Sequence, residues 1–199
     1  IHSTLEKIDQ NAFELAVDTI LHAKHIYIIG IRSCAPLASF MAFYFTLMFP
    51  NVHLIQTSSS SEIFEQMVRI GKEDVIIGIS FPRYSMRTLK AMEFANNRSA
   101  KVITLTDSVH SPMNLYSSCN LIADSDMASI VDSLVAPLSV INALIVALCM
   151  KKQNEVAKTL EMLEDIWDEY QVYENDEINY IDDSIKMRYG KVGDAELYE

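Results

Sequence analysis

Four short segments gather hydroxyl groups beside charged side chains: Gly30-Ile31-Arg32-Ser33-Cys34, Thr57-Ser58-Ser59-Ser60-Ser61-Glu62, Ser80-Phe81-Pro82-Arg83-Tyr84-Ser85, and Thr106-Asp107-Ser108 with Ser111-Pro112 close behind. Each follows a β-like run, and the first three open onto helical patterns. One hydroxyl is enough to cap a helix start, and Ser59 with Glu62 has the spacing of a capping box. Most of these segments carry several. The amides at a helix start bear partial positive charge that favours an anion. Arg32, Arg83 or Arg87 would add a full charge in the forked geometry that suits phosphate. With only 5 glycines in 199 residues, and neither a Walker loop nor a complete GxGxxG, a nucleotide pyrophosphate pressed on bare backbone is disfavoured. A small phosphorylated metabolite held by side-chain hydroxyls fits better.

Catalysis would ask for more. Proton transfer on a bound metabolite needs a base within reach of its carbons, and the candidates at the strand ends are Glu62, Asp107 and His110. Glu62 reads equally as a cap residue, Asp107 as an Asx-type turn former and His110 as a surface turn residue. No pair of titratable groups stands out, so binding is expected rather than turnover. His22 and His25 are three apart, but the segment between them leaves a helix for a strand and no acid or cysteine is spaced with them. No metal and no cofactor is expected. Cys34 at a helix start could carry a lowered pKa, and reads more simply as a small packing residue.

The elements that must position these groups alternate regularly. β-like runs at 25–30, 52–57, 74–80, 101–106 and 120–124 are rich in Val, Ile and Leu, as in a parallel sheet covered on both faces. Helical stretches at about 34–49, 61–71 and 86–98 lie between the first four. The expectation is an α/β domain with a doubly wound five-stranded parallel sheet flanked by helices, its ligand beyond the carboxyl strand ends where the order reverses. Residues 2–23 carry Leu5, Ile8, Phe13, Val17, Ile20 and Leu21 at helical spacing, with Asp9 a cap midway. Cys34–Pro50 is nearly all apolar, and Ser133–Met150 has no charge for 18 residues. Both contain proline and hydroxyls, so core or dimer-interface helices are expected rather than membrane spans. Helices apolar around most of their circumference need a further partner surface, which points to self-association. A last amphipathic helix runs through Val156, Leu160, Leu163, Ile166 and Trp167 to Tyr170. Residues 174–199 hold eight acids and three bases and read as a solvated tail.

Composition bounds the partners. Half the residues are hydrophobic and 22% charged, enough for a buried core and against wholesale disorder. A net charge of −11 repels nucleic acid and anionic membranes. Three cysteines without CxxC spacing suit a reducing cytoplasm. The chain opens on Ile1, which suggests a piece of a longer protein.

Three motifs together resemble the sugar isomerase (SIS) domain, in the branch found in RpiR-type bacterial transcription regulators. These are Gly30-Ile31-Arg32-Ser33-Cys34, Phe81-Pro82-Arg83-Tyr84-Ser85 and Asp132-Ser133-Leu134-Val135-Ala136-Pro137. The resemblance covers about residues 5–173. In that family the loop after strand three is usually Ser-x-Ser-Gly-x-Thr and holds a sugar phosphate. Ser80 stands at its first Ser and Ser85 at its Thr, while Pro82 and Arg83 replace the middle Ser and Gly. The first loop is usually Gly-x-Gly-x-Ser; Gly30 is kept, Arg32 replaces the second Gly and Cys34 the Ser.

The resemblance implies a flavodoxin-like strand order and a division into connector 1–22, SIS domain 23–173 and acidic tail 174–199. It also implies a cytoplasmic phosphosugar sensor, a homodimer or higher oligomer, that meets DNA only through an N-terminal helix-turn-helix domain outside this chain. The alternative is a stand-alone aldose–ketose isomerase. The implied ligand contacts are Ser80 and Ser85 for phosphate, Arg32 and Arg83 for charge or pocket filling, Ser33 and Cys34 along the first loop, and Ser58 and Ser133 toward the sugar.

Overall fold

The structure, a computed structural model, describes residues 8–57, 59–125 and 133–172. Its elements run α1 (Gln10–Leu21), β1 (Ile26–Gly30), a 3-10 turn (Arg32–Cys34), α2 (Ala35–Met48), β2 (Val52–Ile55), α3 (Ser60–Gln66), β3 (Val75–Ile79) and α4 (Met86–Asn97). They continue with β4 (Lys101–Thr106), a 3-10 turn (Pro112–Tyr116), β5 (Cys119–Ile122), α5 (Val135–Lys151) and α6 (Gln153–Glu169). All strand pairs are parallel, in the order β2-β1-β3-β4-β5. The α/β class, the five strands and the flavodoxin-like order are those expected.

Alternation along each strand sends successive side chains to opposite faces. Ile26, Ile28, Val75, Ile77, Ile103 and Leu105 meet one set of helices: α1 through Val17 and Ile20, α2 through Met41 and Phe45, and α5 through Ile141 and Leu144. Tyr27, Ile29, Ile76 and Val102 meet Ile63 of α3 and Ala91, Met92 and Ala95 of α4 on the other face. Burial of both faces explains why the strands read as unbroken apolar runs.

Local chemistry sets the helix ends. Asp9 Oδ1 accepts the amides of Asn11 and Ala12 at 2.9 and 3.2 Å, so α1 starts at Gln10. The helix expected over 61–71 stops at Gln66. Met67 and Ile70 stay buried but lie in tight turns, the amide of Ile70 bonding the Met67 carbonyl at 3.0 Å. The apolar pattern therefore continues past the helix that it was taken to mark.

Two compact units divide the chain after Val156. The first contains the sheet and α1–α5, with Val156 packed on its core. The described part of the second is the remainder of α6 and the residues after it, with Gln171 in the left-handed region at φ 51°. Among the described residues, no single helix is long and apolar enough to cross a membrane. Val135–Lys151 and Gln153–Glu169 reach that length and composition only when taken together, and they are separated at Lys152.

Gly30 is where β1 must pass closest to α2. A Cβ built there would stand 2.6 Å from the Cys34 carbonyl oxygen and 3.1 Å from Ala38 Cβ. Backbone cannot swing aside as a side-chain tip can, so Gly30→Ala should destabilise the fold by about 1–3 kcal/mol. A lower urea midpoint at unchanged slope would show it, and an unchanged midpoint would mean that the approach is looser than described.

Candidate functional site

The register pairs Gly30 with Ile79, so β1 and β3 end side by side. The first connection leaves to the face of α2 and the other to the face of α4, which opens a crevice between them. Residues 30–34 and 80–85 thereby share one edge of the sheet. Thr57 follows β2, whose Ile55 pairs with Ile29 of β1. Thr106 ends β4 and Asp107 follows it, on the other side of β3.

Two residues in these loops adopt backbone that glycine prefers: Arg32 at φ 59° and Arg83 at φ 63°. They are the two positions at which arginine replaces the glycine of the commoner motif. Left-handed backbone costs a side-chain-bearing residue about 1 kcal/mol and persists only where its surroundings impose it. Around Arg83 those surroundings are explicit. Ser80, 3% exposed, accepts the amide of Ser85 on Oγ at 3.0 Å, closing the loop on itself. Ser85 caps α4 by accepting the Thr88 amide at 3.3 Å. Tyr84 donates its hydroxyl to Asp107 Oδ1 at 2.9 Å, tying the loop to the end of β4. Burial, and next the bond to Asp107, push the Tyr84 phenol above its ordinary pKa, so it remains a donor at neutral pH.

Behind this clamp the hydroxyl of Thr106 contacts Asp107 Oδ1 at 3.2 Å and Ser111 Oγ at 2.9 Å. Asp107 is thus a clamp acceptor, and the local turn is made instead by Ser108, which accepts the His110 amide at 3.1 Å. Nor do Ser59 and Glu62 form the expected capping box. Ser59 is the N-cap by position but makes no cap bond, and Glu62 takes the hydroxyl of Thr57 instead. The reason is competition: Thr57 Oγ1 also receives the Ser59 amide at 3.0 Å, which draws the acid back to the end of β2.

On the other side of β1 lies a cavity of about 300 Å3, lined among others by Gly30, Arg32, Ser39, Leu54, Gln56 and Thr57. Arg32 and Arg83 are both exposed, and among the described residues neither makes an ion pair. Ser33 is exposed in the 3-10 turn, whereas Cys34 is buried in the core cluster, the packing role expected of it. Ser133 is exposed two residues ahead of α5. Ser58 and Asp132 lie outside the described residues, as do Leu5 and the tail 174–199.

The two histidines near α1 are engaged apart. Nδ1 of His22 meets the Asp18 carbonyl at 2.7 Å, and Nδ1 of His25 meets His53 Nε2 at 3.0 Å. Sequence reasoning gave no role to Tyr84, although it stands inside a quoted motif. It also passed over Gln56 and Ser39, the latter hidden within an apolar helix. Thr88, wholly buried on the face of α4 toward the sheet, has a hydroxyl without a hydrogen-bond partner among the described residues; nothing in its spacing marks it.

The SIS domain family matches residues 19–147. The chain belongs to the SIS domain family. An uncharacterized HTH-type transcriptional regulator of Caldanaerobacter subterraneus subsp. tengcongensis is 25% identical over 167 residues, 81% of this chain and 58% of the regulator. The chain therefore spans little more than half the length of that relative. Among solved structures, the sugar isomerase domain of an RpiR transcription factor from Sphaerobacter thermophilus shares the fold at TM-score 0.78 and 23% identity, covering 82% of this chain and 91% of that one. The Vibrio vulnificus NanR protein, complexed with ManNAc-6P, does so at TM-score 0.73 and 18% identity, over 83% of this chain and 64% of NanR. The hypothetical protein MJ1247 from Methanococcus jannaschii, whose structure infers a molecular function of 3-hexulose-6-phosphate isomerase, shares the fold at TM-score 0.61 and 14% identity, over 75% of this chain and 84% of that one.

The left-handed backbone at position 83 can be tested without a ligand. At position 83 an alanine keeps the left-handed strain and a glycine relieves it, so Arg83→Gly should be more stable than Arg83→Ala by about 1 kcal/mol. Chemical denaturation of the two variants measures this. An alanine variant as stable as the glycine variant would mean that the loop is not held left-handed.

Proposed function

We propose that this chain is the phosphosugar-sensing domain of an RpiR-type transcriptional regulator, acting in the cytoplasm and reaching DNA through a helix-turn-helix domain outside this chain. The observation that carries it is Arg83, held in left-handed backbone at the strand-order reversal beside the hydroxyls of Ser80 and Ser85, with Arg32 in the same backbone state after β1. A loop that keeps glycine-like geometry while adding a guanidinium is suited to an anion. Ser80, Ser85 and Arg83, with the amides of the 81–85 loop, would hold the phosphate. Arg32 and Ser33 would line the first-strand side of the proposed site, with the buried Cys34 packed beneath them, and Ser58 and Ser133 are proposed toward the sugar. The NanR structure with ManNAc-6P supports the ligand class, and the HTH-type relative supports the regulatory role.

Sensing is favoured over isomerisation because the acids near the loops are already employed. Asp107 accepts from Tyr84 and Thr106, and Glu62 accepts from Thr57. His110 stands exposed on a turn. A base spent on holding structure is poorly placed to move a proton between carbons. Self-association is part of the same proposal. On the face that α2 shares with α5, Phe43 of α2 and Val146 and Met150 of α5 are more than half exposed. Apolar side chains on adjacent helices suit a second copy of the chain.

The chain should be incubated with a panel of sugar phosphates while its melting temperature and the ligand's NMR spectrum are followed. The expected result is a phosphosugar that raises the melting temperature and stays chemically unchanged; conversion to its ketose or aldose partner would make the chain an isomerase. Ser80→Ala combined with Ser85→Ala should weaken that ligand at least tenfold. Because both hydroxyls also hold the loop, a stability loss of about 1–2 kcal/mol should accompany it. Affinity unchanged in the double variant would move the phosphate elsewhere.

A further inference from the structure

The two arginines face different spaces. Arg32 lines the cavity between the ends of β1 and β2, and none of residues 80–85 lines it. Arg83 belongs to the loop after β3, beyond the other side of β1. One phosphate seated on Ser80, Ser85 and Arg83 therefore leaves Arg32 without an anion. Arg32 is also the only charged residue that lines its cavity among the described residues. Its polar neighbours there are the neutral groups of Ser39, Gln56 and Thr57, and the remaining lining is apolar or backbone. The acid tied to this rim, Glu62, is held by Thr57 and does not line the cavity.

Arg32 adopts left-handed backbone that a glycine would take without cost. The guanidinium is thus retained against a local penalty, and among the described residues it is in no ion pair. Neutral sugar hydroxyls are matched well by amides and hydroxyls. A guanidinium on an exposed residue at the rim of a largely apolar cavity matches a planar anion with two acceptor oxygens, which it binds bidentately.

Resting on the phosphosugar reading above, we propose that the ligand is doubly anionic: a sugar-acid phosphate, with its phosphate on the loop after β3 and its carboxylate on Arg32 in the β1–β2 crevice. The chain's net charge of −11 gives no long-range help with such a ligand. The two local cations must supply the attraction, and the spacing between them selects the length of the molecule.

The test is a set of matched pairs, aldose phosphates and the aldonic acid phosphates of the same carbon skeleton in gluco, manno and galacto configurations, titrated calorimetrically. The expected result is at least tenfold tighter binding of the acid in the best pair. Arg32→Gly, which suits the backbone, and Arg32→Met, which keeps the bulk, should each bring the acid and the aldose phosphate of that pair to within about threefold of one another. Equal binding of acid and aldose, or a preference that survives both substitutions, overturns the doubly anionic ligand and leaves the sensor reading standing. Binding of no member overturns the phosphosugar reading and this inference with it.

Discussion

Pairing of β1 with β3 is the constraint on which the site depends. Gly30 lies opposite Ile79, yet the chain leaving β1 turns to one face of the sheet and the chain leaving β3 turns to the other. Adjacent strands with diverging exits leave a crevice between them, and Ile31, Cys34 and Phe81 anchor the loops at its edge in the core. Ser80, Ser85, both left-handed arginines and the Tyr84–Asp107 clamp stand at the ends of these strands or of their neighbours. Gly30 makes the pairing compatible with α2, because any side chain there would meet the Cys34 carbonyl.

Much of this was legible in the sequence because it is periodic. Runs such as Val75–Ile79 and alternation with helical stretches specify a covered parallel sheet, and the three motifs specify its family and hence the strand order. What escaped is non-periodic. The end of α3 was placed late because Met67 and Ile70 keep the apolar spacing in turns instead of a helix. Asp107 was read as a local turn former because nothing in one dimension reveals that Tyr84, 23 residues earlier, lies 2.9 Å away. The capping box failed for a related reason, since Thr57 competes for Glu62. The left-handed arginines occupy a middle ground: their alignment with glycines was visible, but that the backbone stays left-handed under an arginine required coordinates.

On the proposed function, those arginines exchange stability for recognition. Glycine would relax both loops, and arginine holds charge where the fold has already fixed the backbone. In a chain of net charge −11 this is the effective place for it. Exposed charges are screened over about 8 Å at physiological ionic strength, so the acidic surface contributes little repulsion at the crevice and a guanidinium within contact distance dominates there. The tether from Tyr84 to Asp107 adds to this, since a loop already held in place loses less entropy when a ligand arrives.

Such a site can signal only if binding favours one arrangement of the assembly over another. α2 is the element that could connect the two. It begins directly after Arg32–Cys34 and buries Met41 and Phe45 in the core, and its Phe43 is 61% exposed on the apolar surface proposed for a second copy. A close-packed helix moves as a rigid body and does not deform locally. A ligand that draws in the 3-10 turn through Arg32 would therefore act on the whole of α2, including the part that a partner would touch. The loop proposed for the phosphate, after β3, has no such route, because its helix, α4, lies on the opposite face. On the proposed function the β3 loop would supply affinity, and Arg32 would be the contact through which occupancy reaches the assembly.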